Sequence, residues 1–496
     1  MALRAHHVRG FRLSAESVIS AVIILVTALH GFSYLLSSYT ASTPNVKTWW
    51  LLLGYQGAVA AFLVGAAYFK YRLSGKNTDI SASCIARVIG DFGGFLPSLL
   101  ILCCVGLLFH AYSKLALVNF HISNCIGELR NAWITTPHDQ IPTYRRITSV
   151  IGHLLASLAY AGLFFSVYRF SIGVRKIASF AFASVFFLAG GVYAFFMGSQ
   201  NAALALLVVT ILAIGLGAIS APFSWRGSIG WLAIIAWFTL LAAFFSLFVF
   251  GNRVECGGAS ATLETYRQYE EAFFDEIPMR RKETVTEVSA QVRQACKACN
   301  AIFIYLNHGI YNFEHIVAQE NLRGDPVFFA FFRGVAKRFG FPMEENPSKT
   351  RVYGLGGATL PGSAYHDFGF TGMVIVGVVQ ALLAILAGGL LRSGSLLWEG
   401  AGLVLYVVVG YVAALSMMFV GFNVISFPFI TISMIFAMAG LIAWAKHSSN
   451  VRIRNRSGSE PMIACGGLDV HAPKLGCHIS AVDVIEKQPA SSIGEI

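Results

Sequence analysis

The densest run of chemically capable side chains is Arg351-Val352-Tyr353-Gly354-Leu355-Gly356-Gly357-Ala358-Thr359-Leu360-Pro361-Gly362-Ser363-Ala364-Tyr365-His366-Asp367-Phe368-Gly369. Its glycines let the backbone approach a ligand closely. Arg351 offers a planar fork of donors that matches phosphate oxygens. Tyr353, Thr359, Tyr365, His366 and Asp367 add hydroxyl, imidazole and carboxylate groups, and turn chemistry alone does not require Tyr365, His366 and Asp367 together. An imidazole next to a carboxylate suits a general base, with Asp367 orienting the ring of His366. His308, in Tyr305-Leu306-Asn307-His308-Gly309, is a further base candidate. The plainer alternative for each histidine is capping or packing. Arg130, after Glu128-Leu129, and the pair Arg145-Arg146 are placed to meet a lipid pyrophosphate head group, or to serve only as snorkelling interface anchors. His30, His110 and His153 lie in or near apolar runs and read as satisfied structural residues.

The elements that must hold these groups are membrane helices. The chain has 496 residues, 56% hydrophobic and only 12% charged, against about 25% charged in soluble domains. Apolar stretches near 20 residues recur from Ser17 to Trp444, each long enough to cross a hydrocarbon core as a helix, and they lack the alternation of barrel strands. The windows predict spans at about 17–37, 48–69, 93–112, 149–169, 177–197, 201–220, 229–250, 371–391, 397–419 and 424–445, hence an all-α polytopic membrane protein with about ten transmembrane helices. With the N-terminus inside, the short cytoplasmic segments and the tail carry sixteen Lys/Arg and the short outer segments five. That bias predicts both termini in the cytoplasm. The formal charge of +11 sits mainly at helix ends and in one loop rather than in a dense basic arm, so nucleic acid is not an expected partner. The basic N-terminus runs into an apolar span with no small-residue cleavage site and reads as an anchor.

The expected organisation is membrane helices over 1–251 with an outer loop at 113–148, a long extracytoplasmic loop over 252–370, further helices over 371–445, and a polar tail over 446–496 that reads as disordered. Within the long loop an amphipathic helix is expected from Thr262 to Gln319, broken at Pro278. The Phe- and Arg-containing stretch 327–340 suits either a membrane interface or ordinary packing. Cys125, Cys256, Cys296 and Cys299 fall outside the cytoplasm, where they form a disulfide or remain thiols. Zinc lacks a second ligand pair at finger spacing after Cys296/Cys299, and Cys465, His471, Cys477 and His478 in the tail fit no recognisable metal site. Spans five and six form a hairpin whose turn, Gly198-Ser199-Gln200-Asn201, is explained by turn geometry, although its amides face the same outer side as the large loops.

Thr359-Leu360-Pro361-Gly362, followed by Tyr365-His366-Asp367-Phe368-Gly369-Phe370-Thr371-Gly372 and a helix, resembles the Wzy-type O-antigen and exopolysaccharide repeat-unit polymerases. Those proteins carry a small-residue segment, an aromatic residue, Asp-Phe-Gly and a nearby Gly at this place. The resemblance extends over about 440 residues to the short hairpin, an Arg after span three, Arg253 after span seven and the long penultimate outer loop. Gln200 departs from it, because the family often has Arg in the hairpin turn. The resemblance implies a fold like the C class of membrane glycosyltransferases, set in a bacterial inner membrane. It implies transfer of a growing glycan from undecaprenyl pyrophosphate to the non-reducing end of the next lipid-linked repeat unit. A flippase and a chain-length regulator of the same pathway are the partners it suggests, and no cofactor is expected. Because the leaving group is already a pyrophosphate, the main catalytic task is to stabilise its departing charge, which arginines can do. Arg351, His366, Asp367 and His308 are then the catalytic candidates. Arg130, Arg145, Arg146, Arg253, Gln200, Tyr353, Thr359 and Tyr365 are the substrate-binding ones. An O-antigen ligase and a transporter or flippase of lipid-linked oligosaccharide are the competing readings.

Overall fold

The computed structural model describes residues 14–74, 88–89, 94–115, 142–197, 200–220, 225–254, 279–282, 297–318, 359–418 and 426–457. Arg130, Arg351, Tyr353, Cys125, Cys256, Cys296, the 327–340 stretch and the tail beyond Ser457 lie outside them, as do the side chains of Gln200, Arg253 and Cys299.

The chain runs through α1 (Ala15–Leu36), β1 (Tyr39–Ala41), α2 (Val46–Ser74), α3 (Phe95–Leu115), α4 (Thr143–Ala156), α5 (Leu158–Ser171), α6 (Lys176–Met197) and α7 (Gln200–Ser220). It continues with α8 (Trp225–Val254), β2 (Met279–Arg281), α9 (Lys297–Ala318), α10 (Leu360–Leu390), α11 (Leu396–Leu415) and α12 (Ser426–Ser457). Among the described residues nine helices are long and apolar enough to cross a membrane, α4 and α5 counting as one span across the turn at Ser157. A shorter apolar helix, Ile229–Phe245, lies within α8, at the place of the seventh predicted span. The run lengths read from the sequence therefore locate the helices well, because in lipid the backbone can be satisfied only inside such segments.

Side chains sort as a bilayer demands. The bundle interior is built on α5, where Tyr160, Leu163, Phe164, Phe165 and Tyr168 are fully buried, while Leu25, Phe32, Leu240 and Phe436 face outward. Lipid tails are as apolar as leucine, so helices associate through close packing and hydrogen bonds rather than hydrophobic exclusion. Gly106 and Gly152 serve the packing: an added Cβ on the first would run into the backbone of Leu155 and Ala156, and on the second into that of His110. Hydrogen bonds supply the rest, with Tyr55 donating to Gln380 (2.8 Å), Gln56 Nε2 to Ser416 (2.8 Å) and Tyr406 to the carbonyl of Leu212 (3.0 Å).

Two corrections to the expected organisation bear on the site. The chain is not purely helical, since β1 and β2 pair antiparallel, Tyr39 against Arg281 and Ala41 against Met279. Of the helix expected over 262–319, α9 is the part present among the described residues, and Met279–Arg281 is strand. The pairing ties the connection between α1 and α2 to the long loop, so both stand at the same end of the bundle, called the loop end below.

At the opposite end Glu16, fully buried, accepts from Arg392 Nη2 (2.7 and 3.0 Å) and from Lys70 Nζ (3.2 Å). This staple joins α1, α2 and the end of α10. Removing one partner of a buried pair strands the other, at a cost of about 3–5 kcal/mol. Glu16→Ala and Arg392→Ala are each expected to lower the melting temperature of the detergent-solubilised protein. The double variant should fall little further than either single change, because both remove one interaction. Additive losses would show that the pair is not coupled.

Candidate functional site

The motif that opened the sequence reading is helical. Helix α10 begins at Leu360 rather than Thr371, so Tyr365, His366 and Asp367 lie within a helix instead of a loop entering the membrane. Start signals explain this: Thr359 is the N-cap and its side chain accepts from the N–H of Gly362 at 3.0 Å, while Pro361 occupies the first turn, where its missing N–H has no partner to lose. The N–H of Leu360 donates to the carbonyl of Ser416, anchoring this start to the end of α11. The helix then breaks at Gly369, whose φ of 68° and ψ of −164° fall in a region essentially confined to glycine.

His366 and Asp367 sit just before that break. Neighbours in a helix do not normally face each other, yet Nδ1 of His366 lies 2.6 Å from Oδ1 of Asp367, with both side chains 3% exposed. A carboxylate that accepts from Nδ1–H leaves the lone pair of a neutral imidazole on Nε2, the atom that can take a proton. Tyr365 lies beside them with its ring edge-on to Phe313, centroids 5.9 Å apart. Gly362 lets α9 approach, for an added Cβ there would crowd Phe313.

α9 is therefore no surface helix. Ile304, Ile310, Tyr311, Phe313 and Val317 are buried on it, and Gly309 faces the carbonyl of Met418 with no room for a side chain. His308 is buried, with Nδ1 against the carbonyl of Tyr305. Burial lowers its pKa to about 4, so it stays neutral at physiological pH, with Nε2 as its basic atom. His30 of α1 hydrogen-bonds the backbone of Leu306, and Ser33 Oγ lies 3.0 Å from Asn307 Oδ1.

One titratable group escaped the sequence reading. Glu314 is buried and accepts from the hydroxyl of Tyr34 (3.1 and 3.2 Å) and from Trp49 Nε1 (3.0 Å), so it couples α9 to α1 and α2. Desolvation raises its pKa from 4.5 to about 7, against the opposing pull of hydrogen bonds from Tyr34, Trp49 and the backbone of Ala41. Asn307, Tyr311 and Glu314 follow a helical spacing, a polar stripe that could have marked the face. Between pH 4.5 and 7 the folded protein holds a proton on Glu314 that the unfolded chain has lost. Its contribution to stability accordingly falls as pH rises through that window and is level above it. The melting temperature is expected to decline across the window, and Glu314→Gln to flatten the decline. An unchanged slope in the variant would assign the titration elsewhere.

Arg145 and Arg146 occupy the first turn of α4, where the helix dipole disfavours a cation. Arg145 Nε donates to Tyr144 (3.2 Å), and Arg146 is exposed. The histidines expected to be satisfied differ among themselves. His153 Nδ1 lies 3.1 Å from the hydroxyl of Tyr193, but neither ring nitrogen of His110 has a partner among the described residues, although its ring lies 4.1 Å from that of His153. Among the described residues no group of three or more His, Cys, Asp or Glu side chains could hold a metal.

What the geometry defines is a multi-pass helical membrane protein with a buried His–Asp pair, a buried neutral histidine and a buried acid at its loop end. No protein-family model, curated protein or solved structure matches the chain.

Proposed function

We propose that the chain is a membrane-embedded polymerase of lipid-linked polysaccharide repeat units, working at the extracytoplasmic face of a bacterial inner membrane with both termini in the cytoplasm. The observation that carries this reading is the His366–Asp367 pair, buried and hydrogen-bonded at 2.6 Å at a glycine break in an otherwise apolar helix. A hydroxyl of the incoming repeat unit attacks the anomeric carbon of the lipid-bound glycan, and the bond from that carbon to the pyrophosphate oxygen breaks. The hydroxyl proton passes to Nε2 of His366, Asp367 steadies the imidazolium, and undecaprenyl pyrophosphate leaves with the negative charge. Arg130, Arg351 and Arg253 are the proposed partners of that charge, with Arg145 and Arg146 at the start of α4. His308 is the reserve base, held neutral by burial.

The glycan profile of a deletion strain tests the reading. Single repeat units on the acceptor, with the long ladder restored by the wild-type chain, are expected. Long glycan trapped on the carrier lipid would point to a ligase, and an unchanged profile would remove both readings.

A further inference from the structure

Helices α2 and α10 enter the bundle side by side from the loop end and leave an apolar groove between them, of about 440 Å³. That volume is within the range of about 300–1,000 Å³ usual for ligand sites. Trp50 and Phe370 form its lips at the loop end, 72% and 59% exposed, and Phe62, 54% exposed, lines it further along α2. Between them on α2 stand the small residues Gly54, beside which an added Cβ would meet nothing within 4 Å, and Ala58, while Gly377 of α10 is packed against Tyr55 and Val59. On α2 the aromatic Trp50 and Phe62 thus flank the small Gly54 and Ala58, a relief with room for the methyl branches of a branched chain.

The groove also has a charged head. Lys47 is exposed and belongs to the same helical stripe as Leu51, Gly54, Ala58 and Phe62, at spacings of three and four, so it stands one turn above the lips. Opposite, Gly369 and the His366–Asp367 pair end the first piece of α10 within one turn of Phe370. Further cations, Arg280 and Arg281, are exposed on the strand that pairs with Tyr39–Ala41. An apolar slot open to the hydrocarbon, with a cation above it at the level of the head groups, is complementary to an anionic lipid.

We infer that this groove binds the polyprenyl chain of a phosphate-bearing carrier lipid, with Lys47 meeting the phosphate and the first carbons passing Trp50 and Phe370. The inference rests on the polymerase reading for the identity of the lipid. The groove would hold the carrier so that its phosphate lies at the Gly369 break, beside His366.

The test uses the purified full chain in phosphatidylethanolamine nanodiscs and a diazirine-bearing polyprenyl phosphate, with labelled peptides mapped by mass spectrometry. Labels are expected on α2 near residues 50–62 and on α10 near 370–381. Gly54→Leu places its side chain where an added Cβ meets nothing within 4 Å, so it fills the slot without disturbing the core, and it should cut labelling several-fold. Ala58→Leu should do the same and Lys47→Glu should weaken labelling. Gly57→Leu, equally free of contacts but outside the groove lining, should leave it unchanged. Labelling elsewhere in the chain, or equal competition by phosphatidylglycerol, would overturn the assignment. Chain extension measured in parallel separates the two ideas. Extension without groove labelling removes the groove alone, whereas groove labelling without extension upholds the groove and removes the polymerase.

Discussion

Chain extension by the purified protein is expected to fall by about 10²- to 10⁴-fold in His366→Ala, the usual contribution of a positioned general base. The variant should remain in the membrane at normal levels, because His366 lies at a helix break and not in the apolar core around α5. Asp367→Asn should lose activity too, since an amide can accept from Nδ1–H but cannot stabilise the imidazolium that forms. If Asp367 only shaped the end of a helical piece, its loss would cost about 1 kcal/mol of stability and leave the rate nearly intact. Measuring rate and melting temperature on the same preparations decides between these outcomes. Near-wild-type extension by both variants would confine the pair to architecture and leave His308 as the base.

The second large effect is expected at Gly369. With φ 68° and ψ −164°, any side chain there is strained by about 1–3 kcal/mol, although an added Cβ would touch nothing within 4 Å. The penalty is thus purely conformational. Gly369→Ala can relieve it by straightening α10, which would rotate the His366–Asp367 piece relative to the helix below. A sharp loss of chain extension with only a modest fall in melting temperature is the expected result. Retained activity would show that the break positions nothing the reaction needs.

The spans were legible because a lipid-crossing helix declares itself by length and composition alone, and the predicted 177–197 and 201–220 differ from α6 and α7 by a residue or less at each end. The start of α10 was misread for an equally physical reason. Gly354, Gly356, Gly357 and Gly362 suggested loop, and they outweighed the cap Thr359 and Pro361, whose effect is local. Strands of three residues, drawn from segments far apart in the chain, leave no periodicity to detect, so β1 and β2 could not be foreseen. Glu314 was not singled out, because one carboxylate on an amphipathic helix carries no mark of burial in the sequence. Its burial depends on Tyr34 and Trp49, contributed by other helices. The His366–Asp367 contact was legible from adjacency, whereas its burial was not, because that needs α9 folded down against Tyr365.

The staple at Glu16 has a bearing on how the protein is made. Its partner Arg392 is separated from it by 376 residues, so the ribosome delivers the acid long before the guanidinium that completes its shell. Through most of synthesis Glu16 waits with Lys70 as its counter-charge among the described residues, and the place reserved for α10 beside α1 and α2 stays open. Closure at the end of translation then joins the first and last thirds of the polypeptide and brings Phe370 up to Trp50 in the same event. A nascent chain stopped before Arg392 therefore holds the Glu16 carboxylate without the guanidinium that completes its shell.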